Sequence, residues 1–317
     1  MNEFSLIKKY FDKQYSDENI LVGIGDDCAV LLPPKGQRLV VSMDTHVAGR
    51  HFPNDAAPGL IAARALHCAM SDLAAMGAEP LWFTLGLTLP HAEPAWLAQF
   101  SQGLFTAADD YGIKLIGGDT TKGPLTISIQ VHGSVPPEQI LLRSGAKPGD
   151  QIFASGTLGD GAAGLAVVDG SLKTDDVSAN YLRKRYYEPK ARIKTGLLLR
   201  YLASAAIDIS DGLIADLGHL CSASGVGAKL DSSRLPISAE LLASTPTRQA
   251  LEWALIGGDD YQLCFTVGPD QAEMVRSQSK ARAIDATWIG EIVAQEGIVD
   301  SHTGKAYRYE TTGYSHF

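Results

Sequence analysis

The sequence predicts an α/β (α+β) protein of two domains, and three observations carry that reading. At 317 residues the chain is longer than one hydrophobic core usually supports, so two domains are expected. Strand-like apolar runs alternate with helical apolar spacing along its whole length, as in α/β and α+β architectures. Between residues 136 and 150 the pattern breaks into Pro136-Pro137 and Gly145-Ala-Lys-Pro148-Gly-Asp150, a cluster of turn formers. That break separates a first domain at 1–137 from a second at 148–317.

The elements follow in order. Phe4, Ile7, Tyr10 and Phe11 have helical spacing over 4–15, and Arg38-Leu-Val-Val-Ser-Met-Asp44 reads as a strand ending in an acid. Leu60, Ala63, Leu66, Ala69 and Leu73 mark a long Ala-rich helix from Pro58 to Met76. Residues 80–89 and 125–133 are β-rich, with a helix pattern at 94–111 and a short apolar run at Lys114-Leu-Ile between them. The second domain opens with a strand at 151–154 and a Gly-rich turn and helix at 156–169. A basic helix pair follows around 179–203, then a strand at 206–209, a helix at 213–223, a strand at 261–267, a helix at 270–281 and a strand at 287–293.

Composition narrows the function. Twenty-seven Lys and Arg stand against 36 Asp and Glu, a net charge of −9, which argues against nucleic acid as a partner because phosphate-backbone binding needs clustered cations. If the chain binds phosphates, added cations must mediate. No apolar run reaches the roughly 18 residues needed to span a bilayer. Met1-Asn2-Glu3-Phe4 starts with an acid rather than a basic leader, so a cytoplasmic protein is expected. Cys28, Cys68, Cys221 and Cys264 show no Cys-x-x-Cys spacing and read as incidental thiols.

Aspartates carry the chemical signal. Asp72 and Asp211 each follow a serine, and a Leu-Ile-Gly-Gly-Asp string ends 47 residues after the first, at Asp119, and 48 after the second, at Asp259. Internal duplication and chance both account for so short a match. Gly23-Ile-Gly-Asp26-Asp27 is a tight turn with two adjacent acids, of which one faces any shared site, since neighbouring side chains point apart. Asp44 and Asp119 are expected at strand ends, where ligands of open α/β sheets bind, and Gly117 and Gly118 would let a phosphate or adenosine approach the backbone.

Asp72 lies in a helix of Ala, Leu and Met, where an acid is costly to bury without a partner; an exposed or capping place is the bland alternative. Asp208 and Ser210 share a face by alternation, while Asp211 is either a helix cap or a ligand. His51 and Arg143 are candidates for anion contacts or ordinary loop charges. Two carboxylates about 5 Å apart repel by roughly 3 kcal/mol at an effective dielectric near 20, so a cluster of acids needs raised pKa values or bound cations. Hard oxygen donors suit several Mg²⁺ ions and phosphate chemistry. A rival signal is Gly159-Asp-Gly161-Ala-Ala-Gly164, a literal dinucleotide fingerprint that lacks the usual acid about 20 residues on. Its backbone amides are alternatively a phosphate cradle, or the glycines merely make a tight turn.

Gly23-Ile-Gly-Asp-Asp-Cys-Ala-Val-Leu31, Met43-Asp-Thr45, His51-Phe52, Ala69-Met-Ser-Asp-Leu-Ala-Ala-Met-Gly-Ala-Glu-Pro80, Gly117-Gly-Asp-Thr-Thr121, Asp208-Ile-Ser-Asp-Gly-Leu213 and Gly313-Tyr-Ser-His-Phe317 together resemble the thiamine-monophosphate kinase family. That resemblance implies the aminoimidazole ribonucleotide synthetase-like fold, with an N-terminal domain that dimerises through its sheet and a C-terminal α/β domain completing the active-site cleft. It implies ATP-dependent phosphorylation of thiamine monophosphate, the final step of thiamine diphosphate formation, in a homodimer. By position, the implied magnesium ligands are Asp27, Ser42, the Met43 carbonyl, Asp44, Asp72, Asp119, Asp208 and Asp211. The implied ATP contacts are Tyr111, Gly118, Asp119, Arg143 and Ser210, and the substrate contacts are His51, an acid of the 257–263 motif, Asp259 or its neighbour Asp260, and Tyr314.

One departure stands out: the family usually reads Gly-Gly-Glu-Asp-Tyr-Glu-Leu, and this chain has Gly257-Gly-Asp-Asp-Tyr-Gln-Leu263. The shorter Asp259 reaches substrate directly only if the backbone shifts, or else through water. Another ATP-dependent synthetase of the same superfamily is the nearest alternative. Selenophosphate-type chemistry would need a reactive Cys in the N-terminal glycine loop, where Cys28 follows the acids instead.

Overall fold

A computed structural model describes residues 3–13, 15–281 and 284–307. The chain divides into two compact units, Met1–Leu73 with Ala78–Glu138, and Ala74–Gly77 with Gln139–Phe317. The first unit holds α1 (Glu3–Tyr10), β1 (Ile20–Val22), β2 (Val30–Leu31), β3 (Arg38–Val47), α2 (Pro58–Ala75), β4 (Glu79–Leu89), α3 (Pro94–Tyr111), β5 (Lys114–Lys122) and β6 (Thr126–Val135). Four strands form one sheet in the order β3-β6-β4-β5. β6 runs antiparallel to both β3 and β4, while β5 runs parallel to β4.

Alternation sorts this sheet into two unlike faces. Ile127, Ile129 and Val131 are fully buried and pair across to His46, Asp44 and Ser42, the face against which α2 lies. On the opposite face Leu39, Val41 and Met43 are 47%, 51% and 62% exposed. An apolar row on an uncovered edge strand is a surface that soluble proteins normally cover.

The second unit contains β7 (Gln151–Ser155), α4 (Asp160–Val168), α5 (Asp176–Tyr187), α6 (Ile193–Leu199), β8 (Ala203–Ile209), α7 (Leu213–Ser224), β9 (Gly227–Leu230), α8 (Ala239–Ser244), α9 (Thr247–Ile256), β10 (Gln262–Val267), α10 (Pro269–Lys280), β11 (Ala286–Val293), β12 (Gly297–Asp300) and β13 (Ala306–Tyr307). Its sheet runs β13-β12-β9-β11-β7-β10-β8, antiparallel except between β12 and β9. Both faces are covered, so β10 is buried at every position, the polar Gln262 and Thr266 included. One core joins Ile152, Ile207 and Ile209 to Leu213, Leu217 and Leu220 of α7. The other joins Phe153, Leu263 and Phe265 to Val275 of α10 and to Ala74 and Ala75, which belong to this same unit.

β9, α8, α9 and β12 were not foreseen from the sequence; they are short or lack strong apolar periodicity. Among the described residues no helix is long and apolar enough to cross a membrane. The four cysteines are free, with Cys28 exposed and the others buried.

Candidate active site

Ser42-Met43-Asp44-Thr45 does not end its strand as expected. β3 continues to Val47 because Thr45, His46 and Val47 keep pairing with Ser128, Ile127 and Thr126. Interior placement fixes the side chains by alternation: Ser42 and Asp44 turn toward α2, and Met43 turns to the exposed face. The Ser42 hydroxyl donates a short hydrogen bond to Asp72 Oδ2, so Asp72 is half-buried beside the strand rather than a helix cap. Burial first, and then the charge of Asp72, pushes the Asp44 carboxyl up to about 7. Two carboxylates and a hydroxyl thus share one place.

Asp119 also lies inside a strand rather than at its end, since β5 runs on to Lys122. Register shows which acids it can meet. Asp44 pairs with Ile129, Ile129 with Leu85, and Leu85 with Gly118, a row on the buried face. Asp119 belongs to the neighbouring row with Gly86, Ser128 and Thr45, on the open face. β3 and β5 are the two outer strands, three inter-strand steps or about 14 Å apart. Asp44 and Asp119 therefore occupy opposite edges and opposite faces, and one chain does not bring them together. Instead, exposed Asp119 and Gly118 line a pocket of about 770 Å³ with Asp26, Asp27 and the Gly23–Gly25 turn, closed on its apolar side by Phe4 and Ile7 of α1 and Phe11 just after it.

In the second unit Asp208 is buried at the end of β8, and Ser210 and Asp211 follow half-buried. The cap of α7 is not Asp211. The amides of Ser210, Asp211 and Gly212 all donate to Asp216 Oδ2, at 3.0, 3.0 and 3.1 Å, so a carboxylate one turn into the helix ties down the turn that leads into it. Burial, and then the charge of Asp211, raises Asp216 to about 7. Sequence reasoning missed this residue, although an acid inside Leu213-Ile-Ala-Asp-Leu carries the same signal used for Asp72.

The Gly159–Gly164 loop is likewise already filled. Asp260 Oδ2 accepts from the Gly159 amide at 2.6 Å and Oδ1 from the Gly161 amide at 3.0 Å. Neither a dinucleotide nor a substrate phosphate has these amides at its disposal, which overturns both readings of that fingerprint.

Tyr111 is hydrogen-bonded to His67 Nδ1 at 2.6 Å, and His51 Nδ1 accepts from the Val47 amide at 3.0 Å; neither lines the pocket. Arg143 is exposed in the segment after β6, and Tyr314 lies outside the described residues. Among the described residues no three His, Cys, Asp or Glu side chains stand close enough to hold a metal ion.

Family models match both units: AIR synthase related protein, N-terminal domain, at residues 25–135, and C-terminal domain at 147–301. Thiamine-monophosphate kinase of Escherichia coli strain K12 is 48% identical over 99% of this chain and 98% of its own length. The chain belongs to the thiamine-monophosphate kinase family. The crystal structure of that kinase from Stenotrophomonas maltophilia K279a matches with a TM-score of 0.87 at 43% identity, covering 92% of this chain and 93% of its own. A structure of AaThiL complexed with AMPPCP and TMP matches at 0.81 with 32% identity, over 90% and 89% of the two chains.

Against the thiamine-monophosphate kinase pattern, the altered loop Gly257–Leu263 takes on a definite shape. Asp259 and Tyr261 have φ of 69° and 50°, left-handed backbone that is uncommon for aspartate and an outlier for a bulky aromatic. Their amides donate to the carbonyls of Ser210 at 2.9 Å and Ile209 at 2.7 Å, tying the loop to the Asp208–Asp211 segment. Asp260, between them, is 1% exposed and turned inward, whereas Asp259 is half-buried with the Tyr261 hydroxyl 3.5 Å from its Oδ1. Gln262, where the family has Glu, is fully buried and accepts from Ser155 Oγ at 2.9 Å and Arg192 Nε at 2.6 Å.

Proposed function

We infer that this chain transfers the γ-phosphoryl group of ATP to thiamine monophosphate, giving thiamine diphosphate and ADP. The 48% identity to a thiamine-monophosphate kinase along nearly the whole chain carries this reading, and ATP is its co-substrate. The acceptor is a phosphate monoester, mostly dianionic near neutral pH, so no general base is required and transfer is direct and in line. Catalysis then rests on positioning and charge neutralisation. No phosphorylated protein lies on the route. The reaction belongs to the ATP-rich cytoplasm.

Asp44, Asp72 and Ser42 fit Mg²⁺, which prefers hard oxygen donors and uses few protein carboxylates, taking waters and phosphate oxygens for the rest. The raised Asp44 carboxyl marks a place where a cation relieves repulsion. Bound Mg²⁺ supplies neutralisation of the phosphate charge. The Met43 carbonyl, Asp27, Asp119, Asp208 and Asp211 complete the proposed ligand set, and Gly118, Arg143, Ser210 and Tyr111 serve ATP. His51, Asp259 and Tyr314 serve the acceptor, and the Asp259 carboxylate suits the permanently cationic thiazolium ring. The Asp259 backbone is held by Ser210, so its shorter side chain reaches substrate through water rather than by a chain shift.

A homodimer accounts for the separation of Asp44 from Asp119. Two open sheet faces joined edge to edge would cover the apolar row of β3 and set β3 of one protomer beside β5 of its partner. Mixing separately inactive Asp44→Asn and Asp119→Asn proteins tests this after subunit exchange. Each mixed dimer then holds one site with both defects and one intact site, and about one quarter of wild-type activity returns by symmetry. Exchanged dimers without activity would reject the shared site, and a wild-type protein that forms no thiamine diphosphate from ATP, Mg²⁺ and thiamine monophosphate would reject the function.

A further inference from the structure

We propose that Asp260 is a positioning residue for the thiamine side of the site: its carboxylate latches the Gly257–Leu263 loop to the N-terminus of α4 and so aims Asp259. The inference rests on the reading of Asp259 as a substrate contact. Three features of the loop carry it.

First, the latch is bidentate and dry. One fully buried carboxylate takes two backbone amides, Gly159 and Gly161, through separate oxygens. Charge-assisted bonds of this kind are about twice as strong as neutral ones. α4 has Gly159 at its N-cap with no side-chain cap of its own, so Asp260 satisfies amides that the helix would otherwise leave open. Second, the latch meets the substrate residue through the backbone. A Cβ added at Gly161 would lie 2.3 Å from the Asp259 carbonyl oxygen, so the helix start and the Asp259 peptide are packed in direct contact. Third, the residues on both sides of Asp260 hold left-handed backbone, which persists only where surrounding structure over-determines it. Asp260 from one side and the Ser210 and Ile209 carbonyls from the other supply that determination.

The cost of the arrangement is visible nearby. Burial raises the Asp260 carboxyl, and the charge of Asp160, also fully buried, raises it further. Asp160 is held in turn by Thr157, Ser238, Tyr181 and Arg185. Two carboxylates in one dry place are expensive unless each is fully hydrogen-bonded. For a helix start alone a serine or threonine cap would suffice; the carboxylate additionally locks a distant loop.

The test is a double-mutant cycle read in steady-state kinetics, with folding checked by circular dichroism and thermal melting. Asp260→Asn, nearly isosteric, leaves an NH₂ facing one of the two amides. It should raise KM for thiamine monophosphate on the order of tenfold while leaving KM for ATP within about twofold. Asp259→Ala should give the same signature, and the double variant should be no worse than Asp259→Ala, because the first change acts through the second residue. A folded Asp260→Asn protein with unchanged KM for thiamine monophosphate, beside an impaired Asp259→Ala, overturns the latch and leaves the substrate reading standing. An unimpaired Asp259→Ala overturns the substrate reading, and any effect of Asp260→Asn then runs by another route. Fully additive losses in the double variant also overturn the inference. Should Asp260→Asn fail to fold, Gly161→Ala displaces the Asp259 carbonyl while keeping the Asp260 charge. It must show the same selective KM rise, and an unchanged KM in that variant rejects the proposal.

Discussion

Leu-Ile-Gly-Gly-Asp occurs at 115–119 and again at 255–259, and the two copies share no structure. In the first, all five residues lie in β5, hydrogen-bonded along β4. In the second, Leu255 and Ile256 end α9, Gly257 is its C-cap, and Gly258 and Asp259 lead into the loop. Flanking sequence decides between them. The first copy follows Gly112-Ile-Lys114 after the end of α3 and enters a sheet edge, while the second follows Thr247–Ala254, whose buried Ala250 and Ala254 keep one apolar side of α9 inward. Five identical residues therefore set nothing by themselves; the partner surface does. The acids differ accordingly. Asp119 is exposed beside the Asp26-Asp27 turn, and Asp259 is half-buried with strained backbone next to a buried carboxylate.

The largest expected effect lies in the first copy. Asp119→Asn should lower kcat about a hundredfold or more if its charge helps to hold the phosphates, the scale of losing one electrostatic contact to the transition state. Its melting temperature should barely change, because Asp119 is exposed. Gly118→Ala comes next and acts on folding. A Cβ there would sit 1.9 Å from the Leu85 carbonyl oxygen, at φ +150°, so about 2–4 kcal/mol of stability should be lost in denaturant unfolding.

A third test separates the copies by pH. Asp260, directly after the second string, is raised to about 7 by burial and then by Asp160, far above its value of 3.8 in an exposed chain. A carboxyl with a raised folded-state pKa binds its proton more tightly when folded, so stability increases as pH falls from about 7 toward 4. Asp260→Asn should remove part of that slope, about 2 kcal/mol between pH 8 and 5, and Asp119→Asn should leave it intact. Asp44 and Asp216, raised for like reasons, add to that slope, and His46, lowered to about 3 by burial, opposes it below about pH 6.5. The smallest effect is Asp259→Glu, which restores the usual residue of the family; KM for thiamine monophosphate should fall by less than about threefold.

The main strands and most helices were legible in the sequence because their apolar periodicity survives in isolation. Strand ends were not. The glycines and polar residues at 42–45 and 117–121 read as stops, yet pairing with β6 and β4 carries both strands onward. Asp72 stands out in the sequence as an acid in an apolar helix, and the structure sets it against the Ser42 hydroxyl. Asp216, in Leu213-Ile-Ala-Asp-Leu217, carries the same signal. Asp260 is legible only as an alternative to Asp259 for the substrate contact; its latch is not, because its partners lie about a hundred residues earlier in the chain and only the fold brings Gly159 and Gly161 to it. The separation of Asp44 from Asp119 is likewise a matter of strand order, which local pattern does not encode.

The central claim is that the two identical strings do different work, Asp119 on the metal-phosphate side and Asp259 on the thiamine side. Steady-state rates of thiamine diphosphate formation, titrated separately in Mg²⁺ and in thiamine monophosphate, test it directly. Asp119→Asn should raise the Mg²⁺ concentration for half-maximal rate with KM for thiamine monophosphate within about twofold, and Asp259→Ala should do the reverse, with shifts on the order of tenfold. Two variants that shift the same parameter, or an Asp259→Ala protein that changes only its Mg²⁺ requirement, would contradict the account.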